Sequence, residues 1–282
     1  MKLIKKTVID KPNEVYNLHI KNDHNYIANG AVVANCHQSD AACLKRILSG
    51  PFANIPLRWG LTGTIPKDEI SQLSLKINLG EVVNKVKASD LQEIGVLSSC
   101  HINVLQTVEN VFYNNYQSEI SYLVTDKKRL EWMADTIESI RKTGNTLVLV
   151  DRTKTGKELT GMLEDSVFVH GKTKQEDRKE EYDSINDSKN KVLIATFGVA
   201  STGISITKLN NVVLVEPGKS FVRVIQSIGR GLRKGFDKDH VDIWDFTSTA
   251  KYSKKHLTER KRFYKEANYP FTIKKIDYRN NK

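Results

Sequence analysis

The chain is poor in cysteine, in acidic residues relative to basic ones, and in long apolar runs. Its 282 residues include three cysteines, Cys36, Cys43 and Cys100. That count is too small and too odd for a disulfide scaffold, and it points to a reducing compartment. Cys36, His37, Cys43, Cys100 and His101 lack the paired short spacing of a zinc site, so no metal ligand set is expected. Purely apolar stretches such as 147–150 and 212–215 are strand-sized. None approaches the ~18 residues of a membrane span, so no membrane partner is expected. Residues 1–20 carry Lys2, Lys5 and Lys6 but no apolar signal core, which leaves a cytoplasmic location as the expectation. Asp and Glu number 33 against 44 Lys and Arg, a net charge of +11. Such an imbalance favours an anionic partner, nucleic acid first. With 39% apolar and 27% charged residues, a packed core is affordable and wholesale disorder is excluded.

The first 35 residues read as β structure. Val15–Ile20 alternates apolar and polar residues, a strand signal. Tyr26-Ile27-Ala28 and Ala31-Val32-Val33 flank Asn29-Gly30, the strongest two-residue hairpin signal, because a type I′ turn needs positive φ at both central positions. From residue 36 the pattern changes. Strands are expected at 57–61, 146–150, 166–169, 192–195, 212–215 and 241–244. Helices are expected at 127–142, 156–164, 174–185 and 221–230. That alternation predicts a parallel sheet covered on both faces, with ligands outside the carboxyl ends of its strands. Residues 251–282 interleave Lys and Arg with Tyr252, Phe263, Tyr264, Tyr269, Phe271 and Tyr278. Those rings either stack on bases or form the apolar face of a packed helix.

Asn35-Cys36 carries chemistry of its own. An Asn side-chain amide can attack its own backbone carbonyl, closing a succinimide and cleaving the following peptide bond. A Cys thiolate can accept an acyl group from a thioester. The whole stretch from Val15 to Cys36 resembles the C-terminal end of an intein, and its position 35 residues from Met1 resembles the C-fragment of a split intein. The resemblance implies Asn35 as the cyclising residue, Cys36 as the nucleophile after the junction and His24 as the assisting histidine. It departs from the family at Ala34, where a His is usual, and at Asn17, where an Asp is common.

The remainder resembles superfamily 2 helicases. Cys36-His37 matches the last two residues of an Asp-Glu-x-His motif, so the carboxylates would lie at the end of a partner polypeptide. Gly60-Leu61-Thr62-Gly63-Thr64 resembles motif III. Residues 146–157 resemble motif IV. Ile194-Ala195-Thr196 with Ser201-Thr202-Gly203-Ile204-Ser205 resembles motif V. Gln226-Ser227-Ile228-Gly229-Arg230-Gly231-Leu232-Arg233 resembles motif VI, whose two arginines three residues apart share a helix face. The likeness is greatest to phage helicases of recombination and repair, which act on branched DNA.

What the resemblance implies is an α/β fold. Residues 36–115 would be the end of a first RecA-like domain, 116–250 a second one, and 251–282 a basic aromatic tail, all preceded by a small all-β intein fragment, 1–35. His37, Arg230 and Arg233 would serve catalysis beside Asn35, Cys36 and His24. Gly203, Ser205, Gln226 and Gly229 would bind ATP, and Thr62, Thr64, Thr196, Ser201 and Thr202 would meet DNA. No Gly-x-x-x-x-Gly-Lys-Ser/Thr loop is present; Thr155-Gly156-Lys157 lacks its first glycine and its hydroxyl. ATP and Mg²⁺ would therefore be held mainly by an N-terminal half that carries the matching intein fragment. The expected product of trans-splicing is an ATP-dependent DNA helicase in the cytoplasm, that of the host cell if phage-encoded. The alternative is a free-standing nucleic-acid-binding module with no chemistry at Asn35.

Overall fold

The computed structural model describes residues 25–28, 31–35, 46, 49–50, 53–54, 57–61, 65, 68–201, 206, 208–232 and 238–280. The chain divides into two compact units, Met1–Val83 and Asn84–Lys282.

In the first unit, β1 (Asn25–Ala28) pairs antiparallel with β2 (Ala31–Asn35), Ala28 opposite Ala31. The hairpin read at 26–33 is therefore present. It is not a separate all-β piece, however. β2 also pairs in parallel with β3 (Leu57–Leu61), with Asn35 opposite Leu61. One sheet thus crosses the boundary drawn at 35/36, because β2 has a free edge on the side away from β1 and the apolar β3 fills it. The strand expected at 15–20 lies outside the described residues. Helix α1 (Glu69–Leu79) starts where the Asp68 carboxylate accepts the Ser71 N–H at 2.8 Å. It ends at Gly80, whose φ of +92° suits glycine. Its burial is inverted. Ser74 and Asn78 are buried, while Ile70, Leu73 and Ile77 are 83%, 58% and 69% exposed.

The second unit opens with α2 (Ala88–Glu93) and is built on one seven-stranded sheet, parallel throughout. Its strands are β4 (Ser99–Thr107), β5 (Thr146–Val150), β6 (Ser166–Val169), β7 (Val192–Thr196), β8 (Asn211–Val215), β9 (His240–Ser248) and β10 (Phe271–Ile276), in the spatial order β10-β4-β9-β8-β5-β7-β6. Between them run α3 (Tyr116–Leu123), α4 (Lys127–Arg141), α5 (Thr153–Met162), α6 (Gln175–Asn186), α7 (Phe197–Ser201), α8 (Phe221–Gly231) and α9 (Lys251–Glu266).

Central strands need no polar face, because both faces are covered. Leu147, Leu149, Val212 and Leu214 pack in one cluster with residues of α6 to α9; Val148, Val150, Val213 and Val215 pack in the other with α3, α4 and α5. Moves toward the β6 edge place their helices on one face, and moves toward the β10 edge place theirs on the other. Uniformly handed crossovers require that division.

Two strands were not expected. β4 reads Ser-Cys-His-Ile-Asn-Val-Leu-Gln-Thr, and its polar residues hid it. It lies between β9 and β10, so residues assigned to the end of a first domain complete the second sheet. The tail also turns inward. α9 buries Leu257, Arg260, Phe263 and Tyr264, and Tyr269 is buried beyond it. For Phe263, Tyr264 and Tyr269 the packing role applies rather than stacking on bases.

Candidate functional site

The carboxyl ends of the parallel strands of the second unit carry Asp151, Thr196 and Glu216. Asp151 follows β5, Thr196 ends β7, and Glu216 follows β8. Helix α8 starts at Ser220, whose Oγ accepts the Arg223 N–H at 3.3 Å. Val224, Ser227, Ile228, Gly231 and Leu232 form its buried stripe. At 100° per residue, Gln226, Gly229 and Arg230 then fall on the opposite face. The two glycines differ accordingly. A Cβ on Gly231 would lie 2.9 Å from side-chain atoms of both Val212 and Val241, whereas one on Gly229 would meet nothing within 4 Å. Gly231 is there to let the helix approach the sheet. No packing inside the described residues explains Gly229.

Arg223 ties the edge together. Its Nη1 lies 2.9 Å from Asp151 Oδ1, and its guanidinium carbon sits 5.1 Å from the centre of the Phe197 ring. One side chain thus links the end of β5, the start of α7 and the first turn of α8. It stands three residues before Gln226 on the same helix, a spacing from which the sequence could have offered it.

Beneath the edge, two buried charge networks fix the segment between β8 and α8. Glu216, at φ +43°, occupies a backbone region uncommon for a side chain of its size. Its carboxylate lies 2.8 Å from Arg129 Nη2 and accepts the Ser253 hydroxyl at 2.8 Å. Burial pushes the Glu216 carboxyl above its ordinary value, against the pull of Arg129 and Ser253. Arg129 also approaches Glu109 at 3.5 Å and donates to the Thr247 carbonyl and the Thr107 hydroxyl. Asp245 receives Arg260 in a two-pronged pair at 2.8 and 2.9 Å and accepts the Tyr264 hydroxyl at 2.8 Å. The third nitrogen of Arg260 donates to the Gly218 carbonyl at 2.7 Å. Glu216 and Gly218 are thereby held from below. That sets where α8 begins, and with it where Gln226 and Arg230 stand. These networks leave no signal in a linear reading, since Arg129 meets Glu216 across 87 residues.

Of the site residues read from the sequence, Thr196 is half-buried at the strand end, Ser201 closes α7, and Gln226, Gly229 and Arg230 share one face of α8. Asn35 ends β2 in the other unit. His24, Cys36, His37, Thr62, Thr64, Thr202, Gly203, Ser205 and Arg233 lie outside the described residues. Gly156 is no phosphate-loop glycine: it sits in α5, where a Cβ would come within 2.3 Å of the Phe168 ring. Among the described residues there is no group of three or more His, Cys, Asp or Glu placed to hold a metal, and no helix is long and apolar enough to cross a membrane.

Residues 128–235 match the helicase conserved C-terminal domain family. Over 239 residues the chain is 28% identical to the ATP-dependent DNA helicase UvsW of Enterobacteria phage T4, covering 81% of this chain and 47% of that protein. The crystal structure of T4 UvsW aligns with a TM-score of 0.56 at 23% identity, over 87% of this chain and 53% of that one. Dbp5 of S. cerevisiae, bound to RNA and ADP BeF3, aligns with a TM-score of 0.59 at 15% identity, over 87% of this chain and 59% of that one. The chain therefore spans about half the length of the relatives it matches. Residues 128–235 of its second unit are thus similar to helicase C-terminal domains, and its parallel-sheet fold is similar to that of UvsW.

Proposed function

We propose that this chain is the C-terminal half of an ATP-dependent DNA helicase, completed by an N-terminal half that supplies the phosphate loop and the Asp-Glu pair. The observation that carries this reading is the outward face of α8, which helical periodicity gives to Gln226, Gly229 and Arg230 and where a Cβ on Gly229 would meet nothing within 4 Å. Arg230 would place its guanidinium on the γ-phosphate as charge develops there, the work of an arginine finger. Gln226 and Gly229 would line the same surface, the absent Cβ of Gly229 allowing close approach. Mg²⁺, when bound, would neutralise phosphate charge. Glu109 and Glu216 are engaged with Arg129, and the ion's carboxylate ligands would come from the Asp-Glu pair of the other half. The DNA would meet Thr196 and Ser201 at the ends of β7 and α7. UvsW is named as an ATP-dependent DNA helicase, which supports DNA as the polymer; a preference for branched DNA rests on that likeness alone.

The finer part of the proposal is that the halves are joined by protein trans-splicing. Its support is the agreement of two patterns on one residue. Cys36 follows the intein-like stretch ending at Asn35, and it also stands at the x of Asp-Glu-x-His. Asn35 would cyclise with its own carbonyl, releasing residues 1–35, and Cys36 would carry the acyl group to the new peptide bond. α1 agrees with a completing half, because its exposed Ile70, Leu73 and Ile77 are the face of a helix that has a partner elsewhere.

A second reading has its own observation. β2 pairs in parallel with β3 across the proposed junction, as a strand built permanently into its unit would. On that reading the chain is a nucleic-acid-binding helicase module with no chemistry at Asn35. Asn35→Ala separates the two. Mixed with a partner half ending in Asp-Glu and an intein N-fragment, the wild type should yield a ligated product with ATPase activity, and Asn35→Ala should yield no ligated product. Equal ligation by both, or by neither while the halves bind each other, would sink the splicing reading. In the joined protein Arg230→Ala should lower kcat by ~10³-fold or more. An unchanged kcat would sink the arginine-finger assignment.

A further inference from the structure

The segment before α3 and the first turns of α9 bring aromatic and basic side chains together outside every motif named above. Phe112 is 72% exposed. Lys251 holds its ammonium 5.4 Å from the Phe112 ring centre and 5.2 Å from that of Tyr252. Tyr252 is fixed in turn, its hydroxyl donating to the Asn114 carbonyl at 2.8 Å and its ring meeting Tyr116 edge-on at 6.3 Å. Tyr116 leans on His256 at 4.8 Å. Lys254, Lys255 and Lys219 are exposed, and Lys219 and Lys255 lie close enough to His256 to oppose its protonation.

Two features separate this patch from a random basic surface. The N-terminal N–H groups of α9 are already occupied, since the buried Glu119 carboxylate accepts from Tyr252 and Ser253 at 2.7–3.0 Å. The helix end is therefore closed to anions, and any phosphate must be met by the lysines. Asp151 is engaged by Arg223 and Glu259 by Arg262, and among the described residues Lys219, Lys251, Lys254 and Lys255 make no ion pair. An exposed apolar ring among preset rings and such lysines fits a ligand with flat apolar faces and regularly spaced negative charge.

We propose that Phe112 and Tyr252, with Lys251 and Lys255, form a platform for single-stranded nucleic acid, the rings receiving bases and the lysines the backbone. The inference rests on the reading of this unit as part of a nucleic-acid motor, and it adds a contact that none of the motifs supplies. Stacking of this kind contributes about 1–3 kcal/mol per base, roughly a fivefold to hundredfold change in affinity.

The test uses the full chain and a labelled oligo(dT) of about 20 nucleotides, read by fluorescence anisotropy over a salt series. Phe112→Ala with Tyr252→Ala should weaken binding at least about tenfold and leave the salt slope unchanged. Lys251→Ala with Lys255→Ala should weaken binding and reduce the slope by ~0.7 per lost phosphate contact. Lys265→Ala, 14 residues further along α9 and roughly 21 Å away, controls for net charge and should change affinity less than either. Tyr252→Phe, which keeps the ring, should bind like the wild type, so a folding defect is told apart from lost stacking. Aromatic variants that bind within twofold of the wild type would overturn the platform, as would a wild type that does not bind oligo(dT) at low salt. Normal DNA affinity combined with weakened binding of the partner half would assign the patch to a protein contact and overturn it too. The helicase reading fails separately, by absence of ATPase in the joined protein.

Discussion

In α9 the two faces sit where water would put them, with Leu257, Phe263 and Tyr264 inside and Lys254, Lys255 and Lys265 outside. In α1 they are reversed, with Ser74 and Asn78 inside and Ile70, Leu73 and Ile77 outside. Both helices are amphipathic. The difference is what lies against them. α9 closes a sheet that this chain builds in full, while α1 belongs to a unit whose described sheet has three strands. Among the described residues nothing covers the apolar stripe of α1, and the proposed completing half would.

The contrast can be broken from the complete side first. Arg129→Met would leave Glu216 buried without its paired cation, and Glu109 with Arg279 alone, and should cost about 3–5 kcal/mol by denaturant melt. A loss under about 1 kcal/mol would mean that the network does not hold the β8–α8 segment. Leu257→Ala in α9 should cost about 2–5 kcal/mol. The equivalent truncation in α1, Ile77→Ala, should stay within about 0.5 kcal/mol in the isolated chain yet weaken binding of a partner half. If Ile77→Ala destabilises the chain as much as Leu257→Ala, the stripe is not an unpartnered face.

A smaller comparison lies within α8. Gly231→Ala should cost about 1–3 kcal/mol, because the methyl meets Val212 and Val241. Gly229→Ala should be neutral or gain up to about 1 kcal/mol from helix propensity, while lowering ATPase in the joined protein. Equal destabilisation by both would remove the argument that Gly229 faces a ligand.

The smallest effect is in pH. Burial, reinforced by Arg260, Lys219 and Lys255, pushes His256 down to about 4. Its ordinary value is about 6.5, so between those limits the unfolded chain binds more protons than the folded one. Stability should fall as pH drops from about 6.5 to about 4. His256→Phe, which keeps a ring against Tyr116, should flatten that part of the curve; an unchanged slope would assign the acid sensitivity to other groups.

Much of the second unit was legible because its central strands are apolar on both faces. Runs such as Leu147–Val150 and Val212–Val215 have no other stable location. β4 was not legible, since Ser99, His101, Asn103 and Gln106 interrupt its apolar pattern, and its polar side chains find partners such as Asp242 and the Ser248 carbonyl on β9. β10 was hidden by Lys274 and Lys275, which a sheet edge tolerates. At the site, the spacing Gln226, Gly229, Arg230 was readable because helical periodicity alone sets their common face. Arg129, Glu216 and the pair Asp245–Arg260 were not, because a buried charge declares itself only through partners that folding brings from afar. The platform lay between these cases: Tyr252 was readable as an aromatic among lysines, whereas Phe112 joins it from another segment.

The claim on which the rest depends is that a second polypeptide completes this one at Cys36. Intact-mass measurement after mixing the chain with an N-terminal half ending in Asp-Glu and an intein N-fragment tests it most directly. The account predicts a new species containing residues 36–282 joined to that half, together with a released fragment of residues 1–35. Two unchanged masses from halves shown to associate would contradict it, and would leave Asn35 as the last residue of an ordinary strand.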